Sequence, residues 1–129
     1  MKILRITEIV KKFSIGEKGR SHPLLLTLTR KTVVSTHELL AQLPLGAGGD
    51  LKNQLQRASA SVALNLAEAS GRHGKDRRRF LDFAKGSARE TREGLALLAD
   101  LGCLDAAQVR ALDRQWDRVC AVLYRVMRG

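Results

Sequence analysis

Between Leu51 and Ala69 the residues Leu51, Leu55, Ala58, Val62, Leu66 and Ala69 follow one another at spacings of four, three, four, four and three. At 3.6 residues per turn this is one apolar stripe along an α-helix; a half-buried strand would alternate with a period of two. Two later segments carry the same kind of stripe. From about Arg77 to Leu101 it runs Phe80, Phe83, Ala84, Ser87, Thr91, Leu95, Leu98 and Leu101. After Asp105 it runs Val109, Leu112, Trp116, Val119, Cys120, Leu123 and Met127. A fourth helix is expected from about Leu24 to Leu43, with Leu26, Val33, Leu40 and Leu43 near one face. Leu28 and Leu39 point elsewhere and predict a second apolar surface.

The breaks between these stripes have helix-end chemistry. Pro44 and the run "PLGAGG" end the first segment, and Gly71 and Gly102 are expected stops for the second and third. Asp50, Asp76 and Asp105 stand where an N-cap acceptor is wanted. Four helices with short connections predict an all-α, antiparallel up-and-down four-helix bundle over residues 23–129. Residues 1–22 read as an N-terminal arm, broken by Gly16 and Gly19. Its cations Lys2, Arg5, Lys11, Lys12, Lys18 and Arg20 suit either a polyanion or docking on a neighbouring subunit.

A chain of 129 residues can bury a core without disulfides or metals. Cys103 and Cys120 lie far apart outside any CxxC, so they read as reduced thiols of a cytoplasmic protein. No apolar stretch has transmembrane length, and no membrane association is expected. The charge is less ordinary: a net +10 favours a polyanionic partner, nucleic acid first. The competing reading is a protein-interaction scaffold whose charge is incidental.

Catalytic and metal signatures are missing. His22, His37 and His73 fall on separate segments without metal-ligand spacing, and "GAGG" lacks the Lys and Ser/Thr of a phosphate loop. No enzyme activity, metal or cofactor is expected. His37 lies nearly in line with the first helix's stripe and reads as a packed or interfacial histidine.

Gln54, Ser61, Asn65, Glu68 and Arg72 border the stripe of the second helix. Buried Asn and Glu need partners, and the third helix offers Ser87, Thr91 and Glu90. The expectation is an interhelical network of Gln54, Ser61, Asn65, Glu68, Ser87 and Glu90 that fixes register; the alternative is a ligand or RNA contact at that end. Gly86 and Gly94 each cost a helix about 1 kcal/mol relative to alanine, which implies close approach of another helix.

The arginines are patterned too. Arg78, Lys85, Arg89 and Arg92 are expected opposite the stripe of the third helix, and Arg110, Arg114, Arg118 and Arg125 opposite that of the fourth. With Arg72, Lys75, Arg77 and Arg79 they form a candidate nucleic-acid face. No aromatic interleaves them along the chain, so shape or backbone recognition is expected rather than base stacking.

"LKNQLQRASASVALNLAEASGR" followed by "RRFLDFAKGSARETREGLALLADLGCL" resembles a bacterial four-helix-bundle family. It includes proteins encoded in intervening sequences of large-subunit ribosomal RNA genes and the accessory variability determinant of diversity-generating retroelements. The shared pattern falls on Gln54, Leu55, Arg57, Ala58, Ser61, Val62, Asn65, Leu66, Ala67, Glu68, Gly71, Arg72, Phe80, Leu81, Gly86, Ser87, Glu90, Gly102 and Leu104. Ala69 stands where the family often has glycine, and the first helix lacks the family's usual aromatic. The chain is closer to the intervening-sequence branch. The resemblance implies a non-enzymatic homo-oligomer, a homo-pentamer by analogy with the retroelement protein, that binds structured RNA or an RNA/DNA hybrid. It also implies a reverse transcriptase as a possible partner.

Overall fold

The computed structural model describes residues 22–129. The expected arm therefore lies, except for His22, outside the described residues. Four helices follow: α1 (His22–Leu40), α2 (Leu51–Ser70), α3 (Gly74–Asp100) and α4 (Ala106–Arg128). No strand occurs among the described residues. Each helix packs on its chain neighbours, and α1 closes the ring against α4, which makes an all-α four-helix bundle.

The stripe on α2 is buried as its spacing predicts, except that Leu51 is only partly covered. The stripe on α4 is buried too, extended by Val122 and Val126, while Cys120 is half-buried. Two stripes need correction. On α3 the buried positions are Leu81, Ala84, Ala88, Thr91, Gly94, Leu95 and Leu98, while Phe83 and Leu101 are exposed and Phe80 and Ser87 are only partly covered. On α1, Leu28 and Leu39 belong to the core and not to a second surface; Leu26 and Val33 are its partly buried flank.

Three threonines complete the buried face of α1. Thr32 Oγ1 donates to the Leu28 carbonyl at 2.9 Å and Thr36 Oγ1 to the Thr32 carbonyl at 2.7 Å. Such i−4 bonds let a hydroxyl enter an apolar core without an unmade bond. Thr29 is fully buried as well, yet its Oγ1 has no partner among the described residues. A buried hydroxyl left unpaired costs about 1–3 kcal/mol. Thr29→Val keeps the shape and removes the hydroxyl, so it should raise the urea midpoint, with a stabilisation of about 1 kcal/mol.

The helix ends follow the expected chemistry in part. Asp105 caps α4 by accepting from the Gln108 amide at 3.0 Å. Asp50 precedes α2 but its side chain makes no backbone cap bond; it accepts from Asn53 Nδ2 at 3.4 Å. Helix α3 begins before Asp76, with His73 at the N-cap, so Asp76 lies in the first turn. Gly102, with φ of 77°, turns the chain out of α3 through the left-handed region, as a stop glycine should. Gly71 does not; its φ is −96°.

The α2–α3 seam is the most extensive contact in the bundle. It is built on small residues, with Ala58, Ala84 and Ala88 buried and Gly94 against Leu55. A side-chain carbon on Gly94 would run into the Leu55 side chain, so this glycine allows the helices to approach. Gly86 does not have that role inside the bundle: a Cβ there would meet nothing within 4 Å.

Each seam also carries a polar link. His37 Nε2 donates to the Gln56 carbonyl at 3.2 Å between α1 and α2. Ser61 Oγ and Ser87 Oγ lie 3.0 Å apart between α2 and α3. Between α3 and α4, Arg92 forks onto Asp113 with bonds of 2.7 and 3.0 Å. Trp116 Nε1 donates to Thr36 Oγ1 at 3.0 Å between α4 and α1.

Candidate nucleic-acid interface

The polar positions on α2 separate into two groups. Ser61 and Asn65 stay at the helix interface: Asn65 Nδ2 donates to both the Ser61 carbonyl and Ser61 Oγ at 2.9 Å, and Ser61 reaches Ser87. Thr91 Oγ1 donates to the Ser87 carbonyl at 2.8 Å. Glu68, in contrast, is exposed and makes no direct bond to α3. It faces Arg72 at 3.3 Å, and Arg72 reaches Asp76 in the first turn of α3 at 2.6 Å. Gln54 and Glu90 are exposed and line an open groove with Leu51, Glu93, Leu97 and Asp100. The expected six-residue fastener is thus a compact Ser61–Asn65–Ser87 core and a separate surface ion-pair chain.

That chain ties the α2–α3 turn together. Asp76 accepts from Arg72 and, at 2.9 Å, from Arg79; both guanidinium groups lie over the Phe80 ring, 4.7 and 5.0 Å from its centre. The Arg72 hydrogen bond is the main cause holding the Asp76 carboxyl below the usual carboxylate range. The same bond, with Glu68 second, raises the Arg72 guanidinium. A folded-state pKa below the unfolded one stabilises above the unfolded value and loses that contribution as pH falls through the folded value. An NMR titration should therefore find the Asp76 midpoint below about 3.9, and Arg72→Ala should move it upward.

The remaining candidate cations differ in how they are engaged. Arg78 donates to the Met127 carbonyl at 3.1 Å and faces Asp82 at 3.9 Å. Arg77 is half-buried in the first turn of α3, and Lys75 is exposed beside it. Arg92 does not lie opposite the core as expected. Its side chain is 27% exposed and faces α4, held by Asp113 and, at 3.5 Å, Asp117. The hydrogen bond it donates to Asp113 raises its pKa, so it stays charged and committed to the seam. Cys120 lies beside it; burial pushes this thiol up despite Arg92, and it stays neutral.

Lys85, Arg89, Arg110, Arg114 and Arg118 form no ion pair within 4 Å among the described residues. Arg110, Arg114 and Arg118 are exposed along the outer side of α4, and Arg125 is exposed on the same side. Lys85 and Arg89 edge a cleft of about 220 Å³ between α3 and α4, lined also by Arg92, Cys120, Leu123, Tyr124 and Met127. Lys85 and Arg89 therefore lie at the α3–α4 seam, while Arg110, Arg114 and Arg118 do not line that cleft. The expectation that no aromatic interleaves the cations fails here: Tyr124, half-exposed, stands in the cleft with Lys85 and Arg89. It was missed because it lies beside the α4 stripe and 35 or more residues from Lys85 and Arg89.

Among the described residues no three His, Cys, Asp or Glu side chains are placed to hold a metal ion, and no helix is long and apolar enough to cross a membrane. Residues 25–125 match the family model described as 23S rRNA-intervening sequence protein. No curated protein matches the chain significantly.

Proposed function

The chain belongs to the 23S rRNA-intervening sequence protein family, and from that premise we propose that it is a non-enzymatic protein that binds structured RNA through the α3–α4 face. One observation carries this reading. Lys85, Arg89, Arg110, Arg114 and Arg118 share adjoining helices without acidic partners among the described residues, whereas Arg72, Arg79 and Arg92 are held by carboxylates. Cations without internal partners are the ones able to replace counterions on a phosphate backbone. The family assignment favours RNA of ribosomal origin over a reverse transcriptase as the setting.

Homo-oligomerisation is the second part of the proposal. Leu64 on α2, Phe83 and Leu97 on α3 and Leu101 just past its end are large, apolar and exposed, and Gly86 opens on α3. Another copy covering them would explain why they are apolar. Five copies is the number implied by the resemblance, and sedimentation equilibrium reads it directly.

Fluorescence anisotropy with a labelled RNA hairpin, at several salt concentrations, tests the binding reading. Micromolar or tighter binding with a steep loss of affinity as salt rises is expected. Absence of binding at low salt overturns it, and leaves a protein-interaction scaffold as the function.

A further inference from the structure

The cleft between α3 and α4 is more than a basic surface. Its floor is apolar, formed by Leu123 and Met127, both buried in the core cluster. One edge carries Lys85 and Arg89 and the other carries Tyr124, a residue 54% exposed. Arg128 lies over that ring, 5.6 Å from its centre. Arg92 closes the back of the cleft, neutralised by Asp113. The result is a small concavity with an apolar base, a planar ring and two cations without an acidic partner.

We propose that this cleft takes one unpaired nucleotide of a bound RNA, its base against Tyr124, Leu123 and Met127 and its phosphate on Lys85 and Arg89. The inference rests on the reading that the α3–α4 face binds RNA, and it adds what the face selects. At about 220 Å³ the cleft falls below the usual drug-sized pocket, which suits a single base. A base presents a flat π-face to an aromatic ring, and its phosphate fits the planar fork of an arginine. A lipid headgroup would use the same cations but gains nothing from the ring. RNA exposes such nucleotides at bulges and loops, so the protein would prefer interrupted helices to continuous ones.

The test uses the full chain and two hairpin RNAs that differ only at one bulged position, one carrying 2-aminopurine and the other an abasic sugar. The wild-type protein should bind the base-bearing RNA about tenfold more tightly and change its 2-aminopurine emission on binding. Tyr124→Ala, at a half-exposed position that tolerates truncation, should bind both RNAs as wild type binds the abasic one. Equal wild-type affinity for the two RNAs overturns the proposal while leaving RNA binding intact. A Tyr124→Ala variant that still favours the base-bearing RNA tenfold also overturns it. Loss of binding to both RNAs at low salt in the wild type overturns the RNA reading itself, and this proposal with it.

Discussion

Trp116→Ala should lower the stability of the bundle by about 3–5 kcal/mol. The indole is fully buried and is the largest buried side chain among the described residues. It links α4 to α1 through its hydrogen bond to the buried Thr36. The substitution removes apolar contact, leaves a cavity and deletes the Nε1–H donor to Thr36 Oγ1. Domains of this size have about 5–15 kcal/mol in all, so the variant should be partly unfolded well below the wild-type midpoint. Urea titration followed by circular dichroism checks it, since the variant has no tryptophan to report. Trp116→Phe keeps most of the bulk and loses the donor; it should fall between the two. A loss under about 1 kcal/mol for alanine would contradict this burial.

Replacing Arg89, Arg110, Arg114 and Arg118 together by glutamate should weaken binding to a structured RNA hairpin by at least about 100-fold at low salt. Each cation that meets a phosphate contributes about one unit to the slope of log affinity against log salt. The slope should therefore flatten by up to about four units. These four side chains are exposed and have no ion pair among the described residues, so the helical spectrum and thermal midpoint should change little. Arg92→Glu makes a useful contrast: it would place a carboxylate against Asp113 and destabilise the α3–α4 seam. Unchanged affinity and slope in the quadruple variant would remove the basic ridge as an RNA contact.

The helix count, the α2 stripe and most of the α4 stripe were legible because an unbroken 3.6-residue pattern leaves one solution. Helix α3 was harder because it carries more apolar residues than the core accommodates. Which are buried depends on where α2 and α4 lie, and that geometry leaves Phe83 and Leu101 outside while burying Ala88 and Gly94. Helix α1 misled for another reason. Thr29, Thr32 and Thr36 count as polar in a sequence pattern, yet Thr32 and Thr36 satisfy their hydroxyls on their own helix. Among the cations, sequence alone could not separate Arg92 from Arg89. The difference is Asp113, which lies 21 residues from Arg92 and reaches it only once α3 and α4 pack.

The acidic groove of Glu90, Glu93 and Asp100 opens on the α2–α3 side, while Arg110, Arg114 and Arg118 occupy the outer side of α4. If the outer side of α4 meets a polyanion as proposed, this separation favours approach with that side forward. In the field of a polyanion such a particle rotates before it touches, so productive collisions begin with α4 leading. Salt should then act first on the association rate, slowing capture before it hastens release.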